Sequence, residues 1–194
     1  MLADPVTRLA TLLPLRLRSC RQLAREALRQ GAIQKPSEFG PLLRLVRAMK
    51  PAVIVEIGCA DAGSAYGFRL AAPDAVIESI DVESERATIR GDSHDLTTLS
   101  ALRDALGDRA IDVLFIDGDH SYEGVRADFE TFSPLVKPGG IVAFHDILPH
   151  PNRPEFVVHR YWRELSAGRR HREFVDPSAD WGWGQWGGIG VIFV

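Results

Sequence analysis

A chain of 194 residues, 45% apolar and 25% charged, has the size and balance of one globular domain that buries a core without a disulfide or metal staple. Its 23 basic and 26 acidic residues leave a net charge of −3, which gives no reason to expect nucleic-acid binding. No apolar run nears the ~18 residues of a membrane span, Arg16 and Arg18 interrupt the N-terminal apolar stretch that a signal peptide needs, and two cysteines (Cys20 and Cys59) outside any CxxC pair point to a reducing, cytoplasmic setting.

Residues 1–50 read as helical. Leu9, Leu12, Leu13, Leu17, Leu23 and Leu28 recur near helical spacing with arginines between them. Pro14 kinks or splits this stretch and Gly31 stops it. A second helix is expected over Pro41–Met49, with Ser37 as a plausible cap before it. The arginine-rich start suits a solvated arm packed on the domain or across a dimer, or contact with a membrane surface or partner.

From residue 52 short apolar runs alternate with amphipathic stretches. Strands are expected at Val53–Glu56, Val76–Asp81, Thr88–Gly91, Ile111–Asp117, Ile141–Phe144, Glu173–Val175 and Gly190–Val194. Helices are expected at Ser64–Ala72, Thr97–Leu106, around Tyr122–Phe132, and from near Pro154 to Gly168. This alternation predicts an α/β fold, a Rossmann-like, mostly parallel sheet covered by helices on both faces. The glycine-rich C-terminal run suits an antiparallel edge strand, giving seven strands in all.

The segment Val53-Ile-Val-Glu-Ile-Gly-Cys-Ala-Asp-Ala-Gly63 reads as strand, tight turn and helix start. Gly58, Ala60 and Gly63 fall at G-x-G-x-x-G spacing with alanine in the middle place, and small residues let backbone approach a ligand. Asp81 ends the second strand, where a carboxylate can accept from both ribose hydroxyls. An ordinary strand-to-helix turn with a chance aspartate is the plainer alternative. Glu56 repels a pyrophosphate and attracts a sulfonium ligand carrying an ammonium group. That favours S-adenosylmethionine over a dinucleotide.

In an open parallel sheet the carboxyl ends of the strands line the ligand crevice. Asp117, His120, His145 and Asp146 therefore converge. Asp117, His145 and Asp146 suit a divalent ion with open positions, or else loop capping with a hydrogen bond from His145. The imidazole tilts the choice of ion toward manganese, iron or zinc. His120, with an ordinary pKa near ~6.5, is a reasonable general base, or simply a histidine that starts a helix. Pro149 and Pro151 prevent His145 and His150 from pairing on a helix, and residues 148–154 suit a mobile pocket rim. Trp181, Trp183 and Trp186 suit an aromatic wall or edge packing. Cys59 reads as a small packing residue.

Five stretches in order carry a resemblance: Val55-Glu-Ile-Gly58, Ser79-Ile-Asp81, Gly91-Asp-Ser-His-Asp95, Phe115-Ile-Asp-Gly-Asp-His-Ser-Tyr-Glu-Gly124 and Pro138-Gly-Gly-Ile-Val-Ala-Phe-His-Asp146. From about residue 50 the chain resembles class I S-adenosylmethionine-dependent methyltransferases. It is nearest the small-molecule O-methyltransferases: catechol O-methyltransferase and the macrolide-sugar and cephalosporin-pathway relatives. The first 35 residues fall outside the resemblance, which suggests an N-terminal helical arm over 1–35 and a methyltransferase domain over 36–194. The resemblance implies that Glu56 and Gly58 border the methionine part of the cofactor, with Asp117 counted among the cofactor-binding residues. It implies that Asp81 takes the ribose and that Ser93 and His94 lie beside the adenine. The catechol enzyme holds magnesium through Asp, Asp and Asn where this chain has Asp117, His145 and Asp146. His120 falls where that enzyme has its catalytic lysine.

The expected function is methyl transfer from S-adenosylmethionine to a hydroxyl of a small molecule, with a divalent metal (Mg, Mn or similar) and a histidine base. The alternatives are a nicotinamide-dependent oxidoreductase or a non-catalytic cofactor-binding module. A homo-oligomer through the N-terminal helices is compatible with the sequence.

Overall fold

The computed structural model describes residues 18–176 and 186–194. The expected helical positions from Leu9 to Leu17, and Trp181 and Trp183, lie outside these residues. Helix α1 (Cys20–Arg29) opens with a capping box. Gln22 N donates to the Ser19 hydroxyl, and Ser19 N donates to Gln22 Oε1, so two otherwise orphaned donors are satisfied. Helix α2 (Pro36–Met49) starts five residues before the expected Pro41, because Pro36 occupies the first turn, where a missing N–H costs nothing. Pro41 lies inside the helix.

The remaining elements are β1 (Val53–Ile57), α3 (Gly63–Ala71), β2 (Val76–Asp81), β3 (Ile89–Arg90), α4 (Leu96–Leu106), β4 (Ile111–Ile116), α5 (Tyr122–Phe132), β5 (Val136–Leu148), α6 (Val158–Ser166), β6 (His171–Phe174) and β7 (Gly187–Phe193). The strands form one seven-stranded sheet in the order β3-β2-β1-β4-β5-β7-β6. β3, β2, β1, β4 and β5 run parallel, and β7 runs antiparallel to both neighbours. This is the expected mostly parallel sheet.

The C-terminal strand lies inside the sheet rather than at its rim, and β6 forms the rim. The physical reason is composition. Ile189, Val191 and Ile192 of β7 are buried, and Gly190 sits where a Cβ would come 2.5 Å from Trp162. The four residues of β6 include charged Arg172 and Glu173, which suit an edge. β5 is also longer than expected. Pro138-Gly139-Gly140 does not end it, because the register with β4 jumps from Ile111↔Val136 to Val113↔Ile141 and the extra residues bulge out of the ladder.

Alternation along the strands divides the core between the two faces. Ile54, Val113, Phe115 and Ala143 face α1, α2 and α3, and meet Leu23, Phe39, Leu43 and Phe68. Val55, Leu114, Ile116 and Phe144 face α4, α5 and α6, and meet Leu102, Phe132 and Trp162. Among the described residues, no helix is long and apolar enough to cross a membrane.

Candidate active site

A cleft of about 800 Å³ opens at the carboxyl ends of β1, β2, β4 and β5. Its floor is the turn after β1. Gly58 has φ +81°, and a Cβ there would lie 2.1 Å from the carbonyl oxygen of Asp117, so only glycine lets β1 and β4 end this close together. Ala60 and Ala62 also take positive φ, at 43° and 59°. Asp81 holds this strained turn. Its Oδ2 accepts from Cys59 N and Ala60 N at 2.9 Å each, and its Oδ1 accepts from Glu83 N and Ser84 N at 2.9 and 2.8 Å. Burial works against ionisation, but the four N–H groups outweigh it and hold the carboxyl below its ordinary pKa.

Of the expected cofactor residues, Gly58, Ala60, Asp81, Ser93, His94 and Asp117 line the cleft. Gly63 lies behind it. A Cβ on Gly63 would come 1.9 Å from Ala32 N, so this glycine seats the 31–34 segment against α3 rather than a ligand. Glu56 also lies behind the lining. It is 0% exposed, and neither carboxylate oxygen has a hydrogen-bond partner. Burial pushes its pKa up to about 8, with the Ser64 hydroxyl the main opposing influence and Asp117 and Asp81 adding to the rise. A buried, unpaired carboxylate is costly. Its position at the glycine turn suits a cationic ligand and opposes a pyrophosphate.

His94 lies between two carboxylates, with Nδ1 3.4 Å from Asp92 Oδ1 and Nε2 3.4 Å from Asp128 Oδ1. Asp128 is fully buried on α5, and burial pushes its carboxyl up to about 6.

At the other end, β4 and β5 bring two aspartates and two histidines together. His145 Nδ1 is 3.1 Å from Asp117 Oδ1 and 3.5 Å from Asp146 Oδ2. His120 Nε2 is 3.1 Å from Asp146 Oδ2 and 3.6 Å from Asp117 Oδ1. Asp146 reaches the cluster through a bulge in β5, where the register with β7 shifts between His145 and Leu148 and Asp146 itself takes φ 58°. Burial disfavours charge on every member, but the opposite charges win. They lower Asp117 and Asp146, raise His145 well above its ordinary value and raise His120 to about 9. Asp117, His120 and Asp146 offer ligand atoms all within 4.8 Å of one another, a spacing that can hold a metal ion, and His145 faces the same two carboxylates.

Residues 150–156 form the rim beside this cluster. His120 stacks on Phe156 at 4.1 Å, with His150 5.7 Å from Phe156 and 5.4 Å from Trp186. Trp186 thus joins His150 and Phe156 in an aromatic rim, while Trp181 and Trp183 lie outside the described residues.

Sequence reasoning missed Gln34 and the role of its segment. Gly31, Ala32, Ile33 and Gln34 line the cleft, and Gln34 Nε2 donates to Asp117 Oδ2. No spacing or motif signals this, because the contact joins residues 83 positions apart. Asp128 and Phe156 both fall inside expected helices, around Tyr122–Phe132 and from near Pro154 to Gly168, with no site role assigned to either.

Residues 42–147 match the family described as Methyltransferase domain. An uncharacterized protein of Sinorhizobium fredii, y4gI, is 31% identical over 158 residues, covering 67% of this chain and 17% of that protein. An uncharacterized mimivirus protein, R132, is 36% identical over 61 residues, covering 30% of this chain and 28% of that protein. The chain thus spans less than a third of the length of either. Among solved structures, the MycE methyltransferase of mycinamycin biosynthesis, with Mg, S-adenosylhomocysteine and mycinamycin VI, superposes with a TM-score of 0.63 at 16% identity, over 92% of this chain and 55% of that one. The O-methyltransferase TomG of Streptomyces achromogenes, with S-adenosylmethionine, gives 0.58 at 19% identity over 100% and 99%. A Bacillus cereus O-methyltransferase with S-adenosylhomocysteine gives 0.60 at 18% over 97% of each chain. At these identities the likeness is one of fold.

Proposed function

The chain belongs to the methyltransferase-domain family, and on that footing we propose that it transfers a methyl group from S-adenosylmethionine to a hydroxyl of a small molecule, assisted by a divalent cation. The observation that carries this reading is that one cleft joins the glycine turn to the carboxylate–imidazole cluster. Its volume of about 800 Å³ is within the ~300–1,000 Å³ of small-molecule sites. The ligands of TomG, the Bacillus enzyme and MycE support the same reading.

In this reading Gly58 borders the methionine end, and Glu56, buried just behind it, ionises when the cationic ligand is in place and offsets the positive charge of ammonium and sulfonium. Ala60 and Gly63 shape the turn, Asp81 reaches the ribose, and Ser93 and His94 border the adenine. Asp81 already accepts four N–H bonds, about the full capacity of a carboxylate. It therefore organises the turn first and shares its oxygens with the ribose. Asp117 borders the reacting end and, with His145 and Asp146, would hold the cation. The aromatic wall of Phe156, His150 and Trp186 receives the acceptor.

The chemistry requires an oxyanion in line with the sulfonium methyl. Ionising a phenol with pKa near ~10 at neutral pH costs about 4 kcal/mol, and a bound divalent cation supplies several kcal/mol of that. His120 takes the hydroxyl proton. Asp117 and Asp146 orient its imidazole, and a divalent cation held by those carboxylates would weaken their hold on its proton and so let the ring accept one. Holding donor and acceptor in line contributes the rest, up to ~7–11 kcal/mol. The reducing cytoplasm is the proposed setting, in keeping with Cys20 and Cys59 both being free and buried.

The test is a thermal-shift and methyl-transfer pair. S-adenosylhomocysteine is expected to raise the melting temperature and NAD is not. His120→Ala is expected to cut turnover far more than cofactor affinity. Protection by NAD alone would turn the reading to an oxidoreductase, and equal loss of turnover and affinity would make His120 structural.

A further inference from the structure

One buried ring nitrogen beside the proposed cation site has no partner. Donor atoms on a cation with bonds of about 2.1 Å stand roughly 3.0–3.4 Å apart. His145 Nδ1 already lies 3.1 Å from Asp117 Oδ1 and 3.5 Å from Asp146 Oδ2, close to that spacing. The other ring nitrogen, Nε2, is buried without a hydrogen-bond partner. Metal-bound imidazoles almost always give that second N–H to a carboxylate, a carbonyl or water.

Glu38 of α2 lies behind it. A Cβ on Gly187 would come 3.2 Å from Glu38 Oε2 and 3.6 Å from His145 Nε2, so both groups border the same buried space beside a residue with no side chain, with no direct hydrogen bond between them. Glu38 is 0% exposed and held rigidly. Its Oε1 accepts from Asp176 N at 2.9 Å and its Oε2 from Gly188 N at 3.0 Å, and Lys35 Nζ lies 3.8 Å from Oε1.

We propose that Glu38, linked to Nε2 by a water in the space they share, is a positioning residue that fixes the tautomer of His145, so that Nδ1 serves the site, and that the resulting two-carboxylate, one-imidazole set prefers a borderline transition cation (Mn, Fe, Co or Zn) to magnesium. The proposal rests on the reading that this cluster holds a cation. Imidazole suits those ions, whereas an all-oxygen set suits magnesium. Glu38 precedes the family-matched residues 42–147.

The full chain, without cofactor or acceptor, is titrated with Mg, Mn and Zn salts by calorimetry, and with Co read from its visible spectrum. Mn and Zn are expected to bind at least about tenfold tighter than Mg, and His145→Asp is expected to erase that preference. Glu38→Gln is expected to weaken Mn binding about 10–100-fold. It should do little in the His145→Asp background, which has no imidazole to orient. If Glu38→Gln does not fold, Glu38→Asp, which withdraws the charge by one methylene, carries the same comparison. Equal Mg and Mn affinity overturns the proposal. So does a Glu38 effect of the same size in both backgrounds, which a merely structural role would produce. Absence of any divalent binding while S-adenosylhomocysteine still binds also overturns it, and leaves the methyl-transfer reading standing on its own test.

Discussion

At the end of β1, the protein keeps Glu56 where no neighbouring group forms a hydrogen bond with its carboxylate. Burial is the main reason its pKa rises to about 8. A carboxyl raised in the folded state binds its proton more tightly there than in the unfolded chain, where it titrates near ~4.3. Stability therefore falls as pH climbs from that value to about 8, and the loss persists above it. Glu56→Gln removes this charge cost. The variant is expected to melt at a higher temperature than the parent at pH 8, with little difference at pH 4.5, while its affinity for S-adenosylhomocysteine drops about tenfold or more. Thermal melts at the two pH values and one calorimetric titration check both halves. Unchanged cofactor affinity would mean that Glu56 faces no cationic ligand. The residue type and strand-end position of Glu56 were legible in the sequence. Its lack of a partner was not, because that depends on everything packed around it.

At the scale of elements, the turn from β1 into α3 serves two neighbours. Gly58 allows β1 to end against β4, and Gly63 allows the 31–34 segment to lie on the first turn of α3. The G-x-G-x-x-G spacing predicts a ligand role for both, yet the close contact at Gly63 is with Ala32. Gly63→Ala should force that segment away at a cost of about 1–3 kcal/mol, the usual range for overpacking. It should also weaken cofactor binding, because Gln34 on the same segment donates to Asp117. A urea melt and a titration with S-adenosylhomocysteine read the two effects, and a change in stability alone would detach segment 31–34 from the site. Strand and helix positions from 53 to 132 were largely legible, since period-two and period-3.6 patterns are local. The bulge that aims Asp146 was not, because it depends on the register β5 keeps with β7, a strand distant in sequence.

For the molecule as a whole, α1 is part of the core that it covers. Leu23, Ala24 and Ala27 are buried in the same cluster as Phe39, Phe68 and Phe115. Fully burying one leucine is worth about 1.5–3 kcal/mol, a large share of a typical stability near 5–15 kcal/mol. A chain shortened to residues 36–194 is therefore expected to melt at a markedly lower temperature, or to lose its cooperative transition, in a circular-dichroism melt. An unchanged melt would make residues 18–35 a separable arm.

What the sequence determined by itself was whatever short-range chemistry dictates. Alternating apolar periods set an α/β sheet, small residues set the turn after β1, and acidic and imidazole groups at strand ends set the chemical character of the cleft. What only the tertiary structure decided was every pairing between distant segments. β7 lies inside the sheet, both His120 and His145 sit on the same two carboxylates, and Gln34 reaches that cluster from the loop between α1 and α2. Such pairings follow from which surfaces pack best over the whole fold, and no local pattern of residues encodes them.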